Sequence, residues 1–222
     1  MKLSMLKEFR KAPLGMLFSK EIVFNLISDE DNSEMMRTHL SVDGKDFVII
    51  CYSFDNSNKL FALVNRLDHS EIAGYLIIKK FSIGWQVQDT AIYPKFRNKG
   101  LGIDLFVKVI QSGISLISGF SLSNEAEKLW MQKLPKFVNV QVLSKSDSAI
   151  HPFSNEPQLD RGSDLDQNWF FIATSKNARL TGLDENYTED GLGNLLYENW
   201  LLNRGTPVQS YRSSKFGDDG DF

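Results

Sequence analysis

The stretch Trp85-Gln86-Val87-Gln88-Asp89-Thr90-Ala91-Ile92-Tyr93-Pro94-Lys95-Phe96-Arg97-Asn98-Lys99-Gly100-Leu101-Gly102 decides how this chain is read. Trp85 to Tyr93 has the composition of a β-strand, closed by Pro94. Beyond the glycines, Leu101, Leu105, Phe106, Val109 and Ile110 recur at the three-and-four spacing of an amphipathic helix. A glycine turn that ends a strand and opens a helix points several unbonded N–H groups at one spot, and the positive end of the helix dipole lies there too. Such a corner suits phosphate, and Arg97 and Lys99 add positive charge. A tight turn that needs glycines for backbone reasons alone is the plainer reading. A dinucleotide fingerprint is not completed, because Leu105 occupies the last glycine position of G-x-G-x-x-G, and the P-loop Gly-Lys-Ser/Thr is missing.

Ile92 to Gly102 resembles motif A of the GNAT superfamily, the acetyl-CoA-dependent N-acetyltransferases. That motif reads roughly V-x-P-x-[YF]-[RQ]-x-x-G-x-[GA], and Ile92 in place of Val is the departure from it. The resemblance implies an α+β, GNAT-like acyl-CoA N-acyltransferase fold, with a central, mostly antiparallel twisted sheet flanked by helices. It implies acetyl-CoA as co-substrate, with pantetheine lying beside the backbone of Thr90, Ala91 and Ile92. The pyrophosphate would rest on the N–H groups of Asn98, Lys99, Gly100, Leu101 and Gly102, with Ile103 at the border and Arg97 at the motif's [RQ] position. A Cβ at Gly100 or Gly102 would obstruct the phosphates. The N–H of Ile92 would stabilise the oxyanion as the amine attacks, a donor whose loss typically costs about a hundredfold or more in rate.

An attacking amine must be neutral, yet a lysine-like amine with a pKa of about 10.4 is almost fully protonated at neutral pH. Asp89 is the candidate general base, with Glu125 behind it; a solvent-facing strand residue is the plainer role for Asp89. Relatives carry an Asn that bonds pantetheine and, about two turns later, a Tyr that protonates the departing sulfur. Asn124 matches the first, whereas Trp130 stands one residue early at the second and cannot act as the acid. A thiol of pKa about 8.5 departs as thiolate without much help, so that loss weakens activity by at most about 10²–10⁴ and does not exclude it. Trp130 is then either core or a wall of the acceptor or CoA channel. The implied reaction is direct transfer to an amine in a ternary complex, without a covalent intermediate. The alternative is a GNAT-fold module that binds CoA, or nothing, and works through its C-terminal extension.

Around this stretch, strands are predicted at His39–Val42, Phe47–Phe54, Leu60–Arg66 and Ile72–Lys79, parted by Asp43-Gly44, Asp55-Asn56-Ser57-Asn58 and Asp68-His69-Ser70. Short connections between successive strands imply an antiparallel meander. A strand at Ile114–Ser118, a helix at Asn124–Leu134 with Ser123 as N-cap, and strands at Val138–Leu143 and Trp169–Thr174 follow. The 144–167 segment, rich in Ser, Asp, Pro and Asn, is a long excursion placed to cover the acceptor cleft. Three parts result: residues 1–38, an N-terminal segment on the acceptor side; 39–175, the acetyltransferase-like domain; and 176–222, an extension. In the extension Leu192, Leu195, Leu196 and Trp200 mark a short helix, and Arg212–Phe222 a disordered tail.

The charge balance of 25 basic against 28 acidic residues gives a net −3, and with no basic run it supplies no field for nucleic acid. A single cysteine, Cys51 in an apolar strand, excludes an intrachain disulfide and a multi-thiolate zinc site, and reads as a small buried hydrophobe. His39, His69 and His151 lack metal-ligand spacing, and the acidic run Asp29–Asp31 lacks the spacing of a calcium loop, so no metal is expected. The start has no signal-peptide core and no stretch approaches the roughly 20 apolar residues of a membrane span, so a cytoplasmic protein is expected. The expected partner is an amine-bearing acceptor, a small molecule or a protein. A homodimer or protein contact through the extension is the further partner expectation.

Overall fold

Strand composition sets the architecture from Phe47 onward: long apolar runs with two buried faces need a covering layer on each side. The computed structural model describes residues 18–81, 83–119, 122–144, 150–153 and 169–176. Helix α1 (Lys20–Ile27) is followed by β1 (Ser33–Val42), β2 (Lys45–Asp55), β3 (Asn58–Asn65), β4 (Ile72–Phe81) and β5 (Gly84–Ile92). Then come α2 (Leu101–Gln111), β6 (Leu116–Ile117), α3 (Asn124–Lys128), β7 (Asn139–Ser144), β8 (Ile150–Pro152) and β9 (Trp169–Thr174). Among the described residues the strands form one mixed, mostly antiparallel sheet of nine, in the order β1-β2-β3-β4-β5-β6-β9-β7-β8, with few helices. β5 and β6 are its parallel pair.

Turn chemistry fixes the meander. Asp43 and Gly44, with φ of 52° and 72°, make the two-residue connection between β1 and β2, the left-handed pair that matches the twist of a hairpin. Asp55 accepts from the Ser57 N–H at 2.6 Å and closes the next turn. β1 starts at Ser33, six residues before the expected His39, because Ser33 to Met36 pair with Tyr52 to Ile49 across the hairpin. The predicted helix at Asn124–Leu134 is α-helical only as far as Lys128. Leu129–Lys133 then widen into a π-helical turn, and Leu134–Lys136 tighten into a 3₁₀ turn around Pro135. Ser123 caps its start, its Oγ accepting from the Ala126 N–H at 3.2 Å.

Alternation along β2 shows why both faces are buried. Phe47 and Ile49 face α2, while Val48, Ile50 and Tyr52 face α1. On the α2 side, Leu105, Phe106, Val109 and Ile110 pack over Phe61, Leu63, Leu76 and Ile78. On the other side, Val23, Leu26 and Ile27 of α1 cover Leu60, Ala62, Tyr75 and Ile77. Trp130 belongs to the α2-side core. It is 1% exposed, meets Phe106 edge-on at 6.0 Å and stacks on Phe171 at 6.1 Å. It is therefore not a channel wall. Cys51 is half-buried in β2, and burial pushes its thiol pKa up, which leaves little thiolate.

The expected helix at Leu192–Trp200, the tail at Arg212–Phe222 and most of the 144–167 excursion lie outside the described residues. Within the excursion, Ile150–Pro152 form β8 against β7. Among the described residues no helix is long and apolar enough to cross a membrane, and no group of His, Cys, Asp and Glu is placed to hold a metal ion. Replacing Trp130 by Ala removes a fully buried aromatic ring and is expected to destabilise the fold by about 3–5 kcal/mol. Denaturant unfolding measures this, and a loss under about 1 kcal/mol would remove Trp130 from the core.

Candidate functional site where two strands part

Strands β5 and β6 pair only briefly. Trp85 lies beside Leu116 and Gln86 beside Ile117; the Ser118 N–H then bonds the Phe171 carbonyl at 2.8 Å, so β6 turns toward β9. From Gln88 to Ile92, β5 has β4 on one side and, among the described residues, no paired strand on the other. The Tyr93 N–H bonds the Ala73 carbonyl at 2.9 Å, which fixes the antiparallel alternation at this end. The backbone groups of Ile92 and Thr90 therefore face the open edge. Arg97 agrees, since its Nε donates to the Ile92 carbonyl at 3.1 Å. This leaves the Ile92 N–H on that edge with a guanidinium next to it.

The corner beyond β5 is held from several directions. Pro94–Phe96 make one 3₁₀ turn, with Phe96 buried edge-on to Phe47 at 5.7 Å. Lys95 and Lys45 both donate to Glu71, at 2.8 and 2.7 Å, and Asn65 donates to it at 2.7 Å. These donors hold the Glu71 carboxyl down at about 2. Lys99 pairs with Asp43 in the β1–β2 turn. Asn98 and Gly100 have φ of 60° and 80°, so the chain reverses there before α2 begins. Gly100 is the N-cap and has no side chain with which to cap; the Asp104 N–H makes the first helical bond, to the Gly100 carbonyl at 3.1 Å. The N–H groups of Leu101, Gly102 and Ile103 are thus first-turn donors with no helical acceptor.

A Cβ at Gly100 would meet nothing closer than Asp104 Oδ2 at 3.9 Å, so the space over this turn is open. A Cβ at Gly102 would come within 3.3 Å of Ile92 Cγ1, which holds α2 close to β5. This donor set, with Arg97 and Lys99 in the turn that leads into it, fits an anionic phosphate ester. Asp104 is an acid in the same first turn, and burial raises its pKa.

Asp89 lies on the α1 side of β5, across the sheet from α2. Tyr75 O–H donates to Asp89 Oδ2 at 2.8 Å and accepts from the Phe18 N–H at 2.9 Å. Tyr93 O–H donates to the Phe18 carbonyl at 2.9 Å. Desolvation raises the Asp89 pKa, opposed by the hydrogen bonds from Tyr75 and from the Thr90 N–H. Burial likewise pushes the Tyr93 phenol up to about 12 and Tyr75 higher still, so both stay protonated donors. A half-buried carboxylate with a raised pKa is a stronger proton acceptor than one in water. Glu125 is a poorer base: it is exposed at the start of α3, and its own N–H and Ser123 lower its pKa. Asn124 is also exposed, in the first turn of α3.

Thr90, Ala91 and Ile92 thus run beside the gap, and Arg97 through Ile103 form the corner at its end. Asp89 projects from the same strand on the α1 side of the sheet. Among solved structures, the chain is similar to nourseothricin acetyltransferase at 12% identity and a TM-score of 0.33, over 64% of this chain and 86% of that one. No family model and no curated protein matches. The functional reading therefore stands on the geometry of this chain.

Sequence reading missed three contributors. Gly74 is needed because a Cβ there would run into the Ala91 carbonyl and the Ile92 side chain; a lone glycine inside a strand pattern was its signal. Gln88 is an extra residue, since Asp89 faces Ile77 while Val87 faces Ile78. No composition marks such a bulge. Tyr75, 14 residues from Asp89, gave no sequence signal at all.

Two pH measurements check these contacts. Because the Glu71 pKa is depressed, its contribution to stability is complete above its unfolded value of about 4.3 and is lost as pH falls toward its folded value. The Tm of Glu71→Gln should accordingly lie below wild type at neutral pH and converge with it near pH 2; parallel Tm curves would contradict the network. Tyr75→Phe removes a donor that favours the Asp89 carboxylate, so carboxyl NMR should show the Asp89 pKa rising further; a fall or no change would separate the two residues.

Proposed function

We propose that this chain is an acetyl-CoA-dependent N-acyltransferase that moves an acyl group to an amine acceptor, as the motif resemblance implies. The observation that carries the reading is the parting of β5 from β6 next to the corner with unbonded N–H groups around Gly100. An extended pantetheine arm needs an unpaired strand edge, and a pyrophosphate needs clustered donors at the end of that edge. In the proposal Thr90, Ala91 and Ile92 bind the arm, while Arg97, Asn98, Lys99, Gly100, Leu101, Gly102 and Ile103 hold the phosphates.

When bound, acetyl-CoA supplies an acyl group activated as a thioester. The chain's own contribution is positional and electrostatic. The Ile92 N–H is the candidate donor for charge developing on the acyl oxygen. Asp89 is the candidate acceptor of the amine proton, with Tyr75 fixing its orientation. With Cys51 half-buried and its thiol pKa raised, the proposed transfer is direct. Asn124 is retained as a pantetheine contact in this proposal.

A second reading has a specific observation behind it. Trp130, one residue short of where relatives carry a tyrosine acid, is a buried core ring and supplies no such acid. A CoA-binding module with weak or no turnover would have that feature.

Calorimetry with acetyl-CoA, followed by thiol release against a polyamine, an aminoglycoside, and peptides with a free N-terminus or lysine, tests both readings. The enzyme reading expects binding and release with at least one acceptor; binding without release on any acceptor favours the module. Gly100→Glu places a bulky anion in the open space over the turn and is expected to abolish acetyl-CoA binding. Unchanged affinity would refute the site.

A further inference from the structure

On the side of the sheet away from α2, two apolar clusters are separated by polar groups. One cluster gathers α1 with β2–β4, and the other holds Ile117, Leu143, Phe170 and Ile172. Between them, along the line where β5 and β6 part, stand Asp89, Gln88, Gln86 and Ser118. Trp85 and Val87 pack into the α2-side core, so Gln86 between them points to the opposite face. Gln88 joins it there through a direct hydrogen bond. The bulge thus sets Gln88 and Asp89 side by side on one face, opposite Ile77.

The bonds in this row have a direction. Gln86 is fully buried, and its Nε2 donates to the Ser118 carbonyl at 3.3 Å. A backbone carbonyl can only accept, so the Gln86 amide has a fixed sense and its Oε1 faces Gln88. Gln88 Nε2 donates to that oxygen at 3.0 Å. Gln88 is therefore left with its own Oε1 as an acceptor not engaged among the described residues. On the next residue of the bulge, the Asp89 carboxylate has about four lone-pair positions, of which Tyr75 and Thr90 engage two.

We infer that Gln88 Oε1 and the Asp89 carboxylate form an acceptor-only clamp for a primary ammonium group, making Gln88 a specificity residue and Gln86 the residue that positions it. The inference rests on the reading of Asp89 as the group that faces the amine. A primary ammonium brings three N–H donors to acceptors on two neighbouring residues of the bulge; a quaternary ammonium brings none. Tyr93 and Phe96 are not an alternative cage, because the Lys20 ammonium already lies over Tyr93 at 5.0 Å and over Phe96 at 5.8 Å.

The test is a titration of the isotope-labelled full chain with methylammonium chloride and, separately, tetramethylammonium chloride, followed on the side-chain amide signals of Gln88. Saturable shifts with methylammonium and none with tetramethylammonium are expected. Gln88→Leu should weaken methylammonium binding at least tenfold. Gln86→Met should weaken binding and alter the Gln88 amide shifts while the Asp89 carboxyl titration stays in place. Wild-type affinity in Gln88→Leu, or equal shifts with both cations, would overturn the clamp. Calorimetry with acetyl-CoA on the same proteins separates the two proposals. Acetyl-CoA binding without methylammonium binding sinks the clamp alone, whereas the reverse result sinks the acyltransferase reading and leaves the clamp.

Discussion

A β-sheet satisfies its backbone by pairing each strand on both sides, and the constraint that organises this molecule is the place where that pairing stops. β5 has a parallel neighbour at Trp85 and Gln86 and then loses it, because Ser118 commits the next chain segment to Phe171 on β9. Unpaired edges are normally a liability at the rim of a sheet. Here the unpaired length lies in the interior of the strand order, between β4 and β6, where a second sheet edge cannot dock. An extended ligand can use the same main-chain groups, and the helix that follows β5 adds its own donors at the end of the gap.

Holding such a gap open requires the strands around it to be rigid, and the packing supplies this asymmetrically. β2, β3 and β4 are buried on both faces, under α1 on one side and α2 on the other. The corner after Ile92 is pinned by Phe96 against Phe47, by Lys95 to Glu71, and by Lys99 to Asp43. The exposed ion pairs contribute little stability singly, on the order of 0–1 kcal/mol each. Their effect is to restrict where a loop with two left-handed residues can go.

Much of the architecture was legible from local chemistry. Asp43-Gly44 and Asp55–Asn58 announced hairpins, Ser123 announced a helix start, and the spacing of Leu101, Leu105 and Ile110 announced α2. What remained hidden was of two kinds. The start of β1 at Ser33 depends on a partner strand, since Glu34 and Arg37 within it have no strand signature by themselves. The Asp89 surroundings depend on contacts far apart in sequence, as with Tyr75 and Phe18. Local pattern reports which face a residue prefers, whereas the partner across the sheet decides what chemistry that face carries.

The widened turn at Leu129–Lys133 bears on any residue-by-residue comparison across this helix. An α-helix advances about 100° per residue, and a π-helical turn accommodates roughly one residue more for the same axial travel. Side chains beyond it are re-phased relative to those before it, while β7 still begins where the sheet needs it. Counting forward from Asn124 along an ideal spiral would therefore assign Trp130 and its neighbours to the wrong azimuth. Such a turn absorbs a single inserted amino acid without disturbing the strands on either side, so sequence position and spatial position can drift apart between proteins that share a scaffold.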